Sequence, residues 1–112
     1  MVEEYYYDLV VVGGGPAGSS AAFAAAKNGI KVALLEKENS IAETVRTSGV
    51  TWIENIKEFG IPDNCYNPIK NFSFVSPNNE VTISDSIATA AVLDVRKTYR
   101  WLAEEAEKVG AD

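Results

Sequence analysis

Residues Gly13-Gly14-Gly15-Pro16-Ala17-Gly18 fit the spacing G-x-G-x-x-G. That spacing suits a chain that must let a pyrophosphate rest against bare main chain. Gly13 permits a tight turn, and Gly15 removes the side chain that would hold a phosphate at a distance. Gly18 lets the following helix pack close to the preceding strand. Pro16 and Ala17 open that helix, whose free N–H groups and dipole attract phosphate charge. The hexapeptide alone is weak evidence. Its setting raises it, because it follows the apolar run Leu9-Val10-Val11-Val12 directly and opens an Ala-rich segment.

Glu36 completes the pattern, eighteen residues after Gly18 and at the end of a second apolar run. A carboxylate there can accept hydrogen bonds from the adenosine ribose hydroxyls and would repel a 2′-phosphate. Lys37, counted with the cofactor-binding residues, does not restore a 2′-phosphate site, since adjacent strand residues point to opposite faces. A ligand-free glycine turn with a surface Glu would need both placements by chance. The expectation is a dinucleotide site, and the hexapeptide fits NAD and FAD alike.

The elements that must hold these residues follow from the surrounding pattern. Tyr6 to Val12 reads as a buried strand, Pro16 to Asn28 as a helix stopped by Gly29, and Lys31 to Glu36 as a second strand. The result is a right-handed βαβ unit over residues 6–36. Asn39 to Gly49 is polar and reads as a loop. Ile53, Ile56 and Phe59 at helical spacing predict a helix over Val50 to Phe59, so residues 37–61 are loop and helix. Residues 70–85 read as a hairpin of half-buried strands turning at Pro77-Asn78-Asn79-Glu80. After the apolar segment Ala90 to Leu93, Asp94 can cap a last helix over 95–109, with Val95, Tyr99, Leu102, Ala106 and Val109 on its apolar face. The fold class is α/β, a Rossmann-like βαβ unit with an added β-hairpin and helices. A further parallel strand would begin near Gly110-Ala111-Asp112, so the sequence is expected to be the N-terminal part of a larger protein.

Composition bounds the function. With 112 residues, 46% hydrophobic and 23% charged, the chain has material for one ordinary domain at most. Disordered, collagen-like and disulfide-stapled classes are excluded. No apolar run approaches the roughly 20 residues that cross a bilayer, and the acidic start Met1-Val-Glu-Glu-Tyr lacks the basic region of a signal peptide. A net charge of -6 without a basic cluster argues against nucleic acid as partner. The single Cys65 excludes an internal disulfide and fits a cytoplasmic protein; nothing near it would activate its thiol. Because there is no His, His-based triads, His metal sites and imidazole proton shuttles are absent, and Glu80 and Asp85 show no metal-ligand spacing. Trp52, Trp101 and Phe59 read as core or interface, and Glu104, Glu105 and Glu107 as a solvated helix face.

Four blocks carry a resemblance: Tyr7 to Ala22, Leu34 to Lys37, Val45-Arg-Thr-Ser-Gly49 and Asp94-Val-Arg-Lys-Thr-Tyr-Arg-Trp-Leu102. Together they resemble the FAD-binding N-terminal region of the group-A flavoprotein monooxygenase superfamily, most closely its archaeal geranylgeranyl reductase branch. The resemblance implies FAD as cofactor, with Arg46 over its pyrophosphate, Thr47, Ser48 and Gly49 beside the flavin, and Arg96 against the ribityl-phosphate. A guanidinium suits a phosphate, though on residue type alone either Arg reads as a solvated surface charge. It further implies reduction of isoprenoid C=C bonds in archaeal-type membrane lipids. The partner is then a lipid or small-molecule substrate, met peripherally at the membrane, with the electron donor, proton donor and oligomeric state left open. Ser48-Gly49 departs from the Cys-Gly common in that branch, which weakens the branch and not the flavin. The alternatives are an FAD-dependent aromatic hydroxylase or halogenase, and a non-catalytic dinucleotide-binding module or inactive fragment.

Overall fold

A computed structural model describes residues 2–112. In chain order the elements begin β1 (Leu9–Val12), α1 (Pro16–Lys27), β2 (Val32–Leu35), β3 (Val50–Trp52) and α2 (Ile53–Phe59). A 3-10 turn at Asp63–Cys65 leads to β4 (Tyr66–Ile69), β5 (Asn71–Val75), β6 (Glu80–Ser84), β7 (Ala90–Leu93) and α3 (Val95–Lys108). They form two compact units: residues up to Val45 with Arg96–Asp112, and Arg46–Val95.

The first unit contains the expected βαβ. β1 and β2 are parallel, with Leu9 opposite Val32 and Val12 opposite Leu35; a parallel pair needs a crossover, which α1 supplies. The helix stops where the sequence predicts, since Gly29 takes φ +80 and its N–H reaches Ala26 O at 3.0 Å. Ala22, Ala25 and Ala26 of α1 pack with Val32, Ala106 and Ala111 in one core, which Val11, Phe23 and Leu34 border. Small side chains permit that close approach. Leu34 N donates to Asp112 O at 2.8 Å and Asp112 N to Val32 O at 3.1 Å, so residue 112 pairs with β2 in the parallel pattern anticipated after Gly110.

Two expectations for this unit need correction. The first strand starts at Leu9 rather than Tyr6, because the Asp8 carboxylate takes the Lys31 N–H at 3.2 Å and ends the ladder. Nor is the apolar run buried on both faces. Val11 is half-buried at the core, whereas Val12 is 82% exposed. Within this unit α1 covers one face of the sheet.

The second unit holds an antiparallel sheet in the order β3-β7-β4. Val50 to Trp52, predicted as helix, is instead β3, with Val50 opposite Val92 and Trp52 opposite Ala90. A β-branched and aromatic triplet found a strand partner, and that pairing overrode the helical spacing. Tyr66–Ile69 became a strand despite Pro68, which is tolerated because β4 lies at the sheet edge. Helix α2 ends at Gly60 with φ +64.

β5 and β6 make the predicted hairpin, closed by Ser76 N donating to Asn79 O at 2.8 Å. They are not half-buried as expected: Phe72 alone of the two strands is sheltered, its ring 5.6 Å from Phe74 and 5.9 Å from Trp52. Trp52 and Phe59, read as core or interface, are exposed, so they are not part of a core. Among the described residues no helix is long and apolar enough to cross a membrane, and no His, Cys, Asp and Glu cluster could hold a metal.

Candidate dinucleotide-binding site

Each fingerprint glycine meets a distinct physical demand in the turn between β1 and α1. Gly13 has φ +104, a left-handed conformation costly for residues with a Cβ, and its N–H extends the ladder to Leu35 O at 2.7 Å. At Gly18 a Cβ would lie 1.8 Å from Gly13 O, so only glycine lets the helix sit this close. Gly15 caps α1, and nothing lies within 4 Å of where its Cβ would stand. The main chain is therefore open to a ligand at the position the spacing predicts.

Helix α1 adds the charge for an anion. Pro16 sits at its start, no side chain caps it and no acidic residue occupies its first turn. Ala17 and Gly18 are first-turn positions whose N–H groups have no intrahelical acceptor. Donors and dipole thus meet at the open glycine.

Glu36 faces the turn. Its Oε2 accepts Gly14 N–H at 2.9 Å, while Oε1 accepts the main-chain N–H groups of Lys37 at 2.8 Å and Glu38 at 3.3 Å. Lys37 contributes that N–H and is otherwise exposed. A carboxylate oxygen has room for more than one donor, so the anchored acid can still receive sugar hydroxyls.

Four contributors escaped the sequence. Gly14 is buried, and a Cβ there would stand 2.3 Å from Ile41 Cδ1 and 3.0 Å from Glu36 Oε2. Ser19 is fully buried and donates its hydroxyl to Gly14 O at 3.3 Å. Arg100 donates from Nε to Ile41 O at 3.0 Å and from Nη2 to Ser40 Oγ at 3.4 Å. With Ile41 these residues fix the turn and the loop behind it. A serine early in a helix and an Arg at i+4 from a suspected Arg were the available signals.

Arg96 joins the same unit, donating from Nε to Ala42 O at 3.0 Å and from Nη2 to Glu43 O at 3.1 Å. Arg46, Thr47 and Ser48 belong to the second unit and are exposed. Gly49 is buried there with φ +81, where a Cβ would stand 2.7 Å from Leu93 O and 2.8 Å from Val95 Cγ2. Packing within its own unit therefore demands that glycine.

The FAD dependent oxidoreductase family model matches residues 8–69, which contain the turn, α1 and Glu36. The chain belongs to this family. FAD is its dinucleotide, which resolves the choice that glycine spacing left open. The residues fit the group, because the cradle a Cβ at Gly15 would fill lies open at an uncapped helix start.

This FAD dependent oxidoreductase chain is 41% identical over 94 residues to digeranylgeranylglycerophospholipid reductase of Methanocaldococcus jannaschii, covering 80% of this chain and 24% of that one. A geranylgeranyl bacteriochlorophyll reductase-like structure from Thermoplasma acidophilum superposes with TM-score 0.83 at 33% identity, over 95% of this chain and 29% of that one. A flavin-dependent brominase superposes with TM-score 0.72 at 22% identity, over 96% and 29%, which shows the shared fold alone. The chain thus spans about a quarter of the length of the curated relative it matches, 24%.

Proposed function

We propose that this chain grips FAD in a reductase that saturates isoprenoid C=C bonds of archaeal-type membrane lipids. The Gly15 main chain and the Ala17 and Gly18 N–H groups receive the pyrophosphate, Gly13 and Gly18 shape the turn, and Pro16 starts the helix behind it. Glu36 receives the adenosine ribose hydroxyls beside Lys37. Arg46 offers its guanidinium to the pyrophosphate, Thr47 to Gly49 border the flavin, and Arg96 lies toward the ribityl-phosphate. Held by these residues in its reduced form, FAD would supply the hydride for alkene reduction, with the balancing proton to come from an acid. The substrate is a lipid or small molecule, and it brings the protein to the membrane surface.

The observation that carries the cofactor part is the open main chain at Gly15 with Glu36 Oε2 2.9 Å from Gly14 N. Likeness to two proteins named as reductases, at 41% and 33% identity, supports the substrate class over the halogenase alternative, whose relative stands at 22%. Thermal unfolding with FAD and with NAD tests the grip: FAD raises the midpoint, NAD does not. Gly15→Ala keeps the ligand-free midpoint, since its Cβ meets nothing, and loses most of the FAD-induced rise. Activity is tested by incubating the protein, chemically reduced FAD and a geranylgeranyl lipid, with mass spectrometry counting hydrogens gained. Oxygen consumption with halide or phenol and an unchanged lipid would favour the alternative.

A further inference from the structure

We infer that Arg100, acting with Arg96, is a positioning residue for the adenosine side of the FAD site: α3 clamps the loop after β2 so that Ile41 stays on Gly14 beside Glu36. This rests on the FAD reading above. The two arginines are four residues apart and so share a helix face. Each sends a guanidinium fork to the same short loop. Arg100 takes Ile41 O at 3.0 Å and Ser40 Oγ at 3.4 Å; Arg96 takes Ala42 O at 3.0 Å and Glu43 O at 3.1 Å. Their targets are the consecutive carbonyls of residues 41, 42 and 43.

The loop needs this grip. Ala42 has φ +56, a conformation that a residue with a Cβ keeps only where its surroundings over-determine it. The loop's own acids hold its amides: Glu43 Oε2 accepts Asn39 N at 3.2 Å, Glu38 Oε2 accepts Thr44 N at 3.1 Å, and Glu36 takes Lys37 and Glu38. Acids therefore take the N–H groups of residues 37, 38, 39 and 44, and α3 takes the carbonyls of residues 41, 42 and 43. Between them sits Ile41, whose Cδ1 fills the place a Gly14 Cβ would take. Gly14 N in turn orients the Glu36 carboxylate. A grip on the Ile41 carbonyl thus passes through the Ile41 side chain to the glycine turn and its acid, without Arg100 touching the ligand.

The test measures binding of FAD, ADP and FMN to the full chain by calorimetry, with hydrogen exchange of residues 39–44 and ligand-free thermal unfolding. Arg100→Ala should weaken FAD and ADP each by about tenfold, comparable to losing its charge-assisted hydrogen bond to Ile41 O, with the longer one to Ser40 Oγ adding little. It should leave FMN binding unchanged, lower the ligand-free midpoint by no more than the loss of these exposed hydrogen bonds accounts for, and speed exchange in the loop. Arg100→Lys keeps the charge and stem without the planar fork and should recover only part of the affinity; if Arg100→Ala does not fold, this variant carries the same test at smaller size. Ile41→Ala on top of Arg100→Ala should cost nothing further, because both act through one contact. ADP binding unchanged in Arg100→Ala, additive losses with Ile41→Ala, or an equal loss of FMN overturns the clamp alone. Wild-type chain that binds neither FAD nor ADP overturns the cofactor reading and takes the clamp with it.

Discussion

Gly18 and Gly15 stand on the same turn, yet alanine should affect them in opposite ways. At Gly18 the Cβ would meet a main-chain oxygen at 1.8 Å, which no rotamer can clear. Gly18→Ala should therefore cost roughly 3 kcal/mol or more, at or above the upper end of overpacking penalties, read as a lowered urea midpoint. At Gly15 the same atom enters open space, so stability stays and cofactor affinity falls. Ser19→Ala should cost about 1 kcal/mol by removing one buried hydrogen bond, with the Gly14 carbonyl as the group affected. Gly13, Gly15 and Gly18 were legible because their spacing encodes a local turn. Gly14 and Ser19 were not, because their importance comes from Ile41 and from a carbonyl across the turn, contacts that only the folded chain creates.

Among the elements, α1, β2 and α3 were readable because each carries its own signal: a helix-opening proline, a closing glycine, an apolar run. β3, β4 and β7 have weaker signals. Val50 to Trp52 became a strand because Ala90–Leu93 was there to pair with it, and β7 itself needed β3 and β4 on its two edges. Two glycines of this unit separate local from tertiary demands. Gly60 caps α2 at φ +64 in open space, so Gly60→Ala should cost about 1 kcal/mol, the strain of a left-handed L-residue. Gly49→Ala should cost clearly more, since it adds contacts of 2.7 Å and 2.8 Å to the same strain. Denaturant unfolding of the two variants side by side checks the order.

At the scale of the whole molecule, one contact distant in sequence contributes to stability on the alkaline side. The Tyr7 hydroxyl donates to the Asp112 carboxylate, with the Lys31 ammonium 5.0 Å from the Tyr7 ring centre. That hydrogen bond first, then burial and the Asp112 and Tyr5 charges, hold the Tyr7 phenol above its ordinary value of 10.0. A group raised on folding stabilises fully below its unfolded value and loses that contribution as pH rises through the folded one. Stability should therefore fall as pH climbs past 10.0, and Asp112→Asn should reduce the part that Tyr7 carries. Urea midpoints on either side of that pH, in both proteins, measure it. By itself the sequence determined the glycine turn, the acid that faces it and the parallel pair carrying them, since these depend on main-chain conformation and short-range pattern. Tertiary structure decided which face of β1 is covered, that residues 50–52 extend, and that two arginines on the last helix grip the loop behind Glu36. Those outcomes depend on which distant groups arrive to pair, and local spacing does not encode partners.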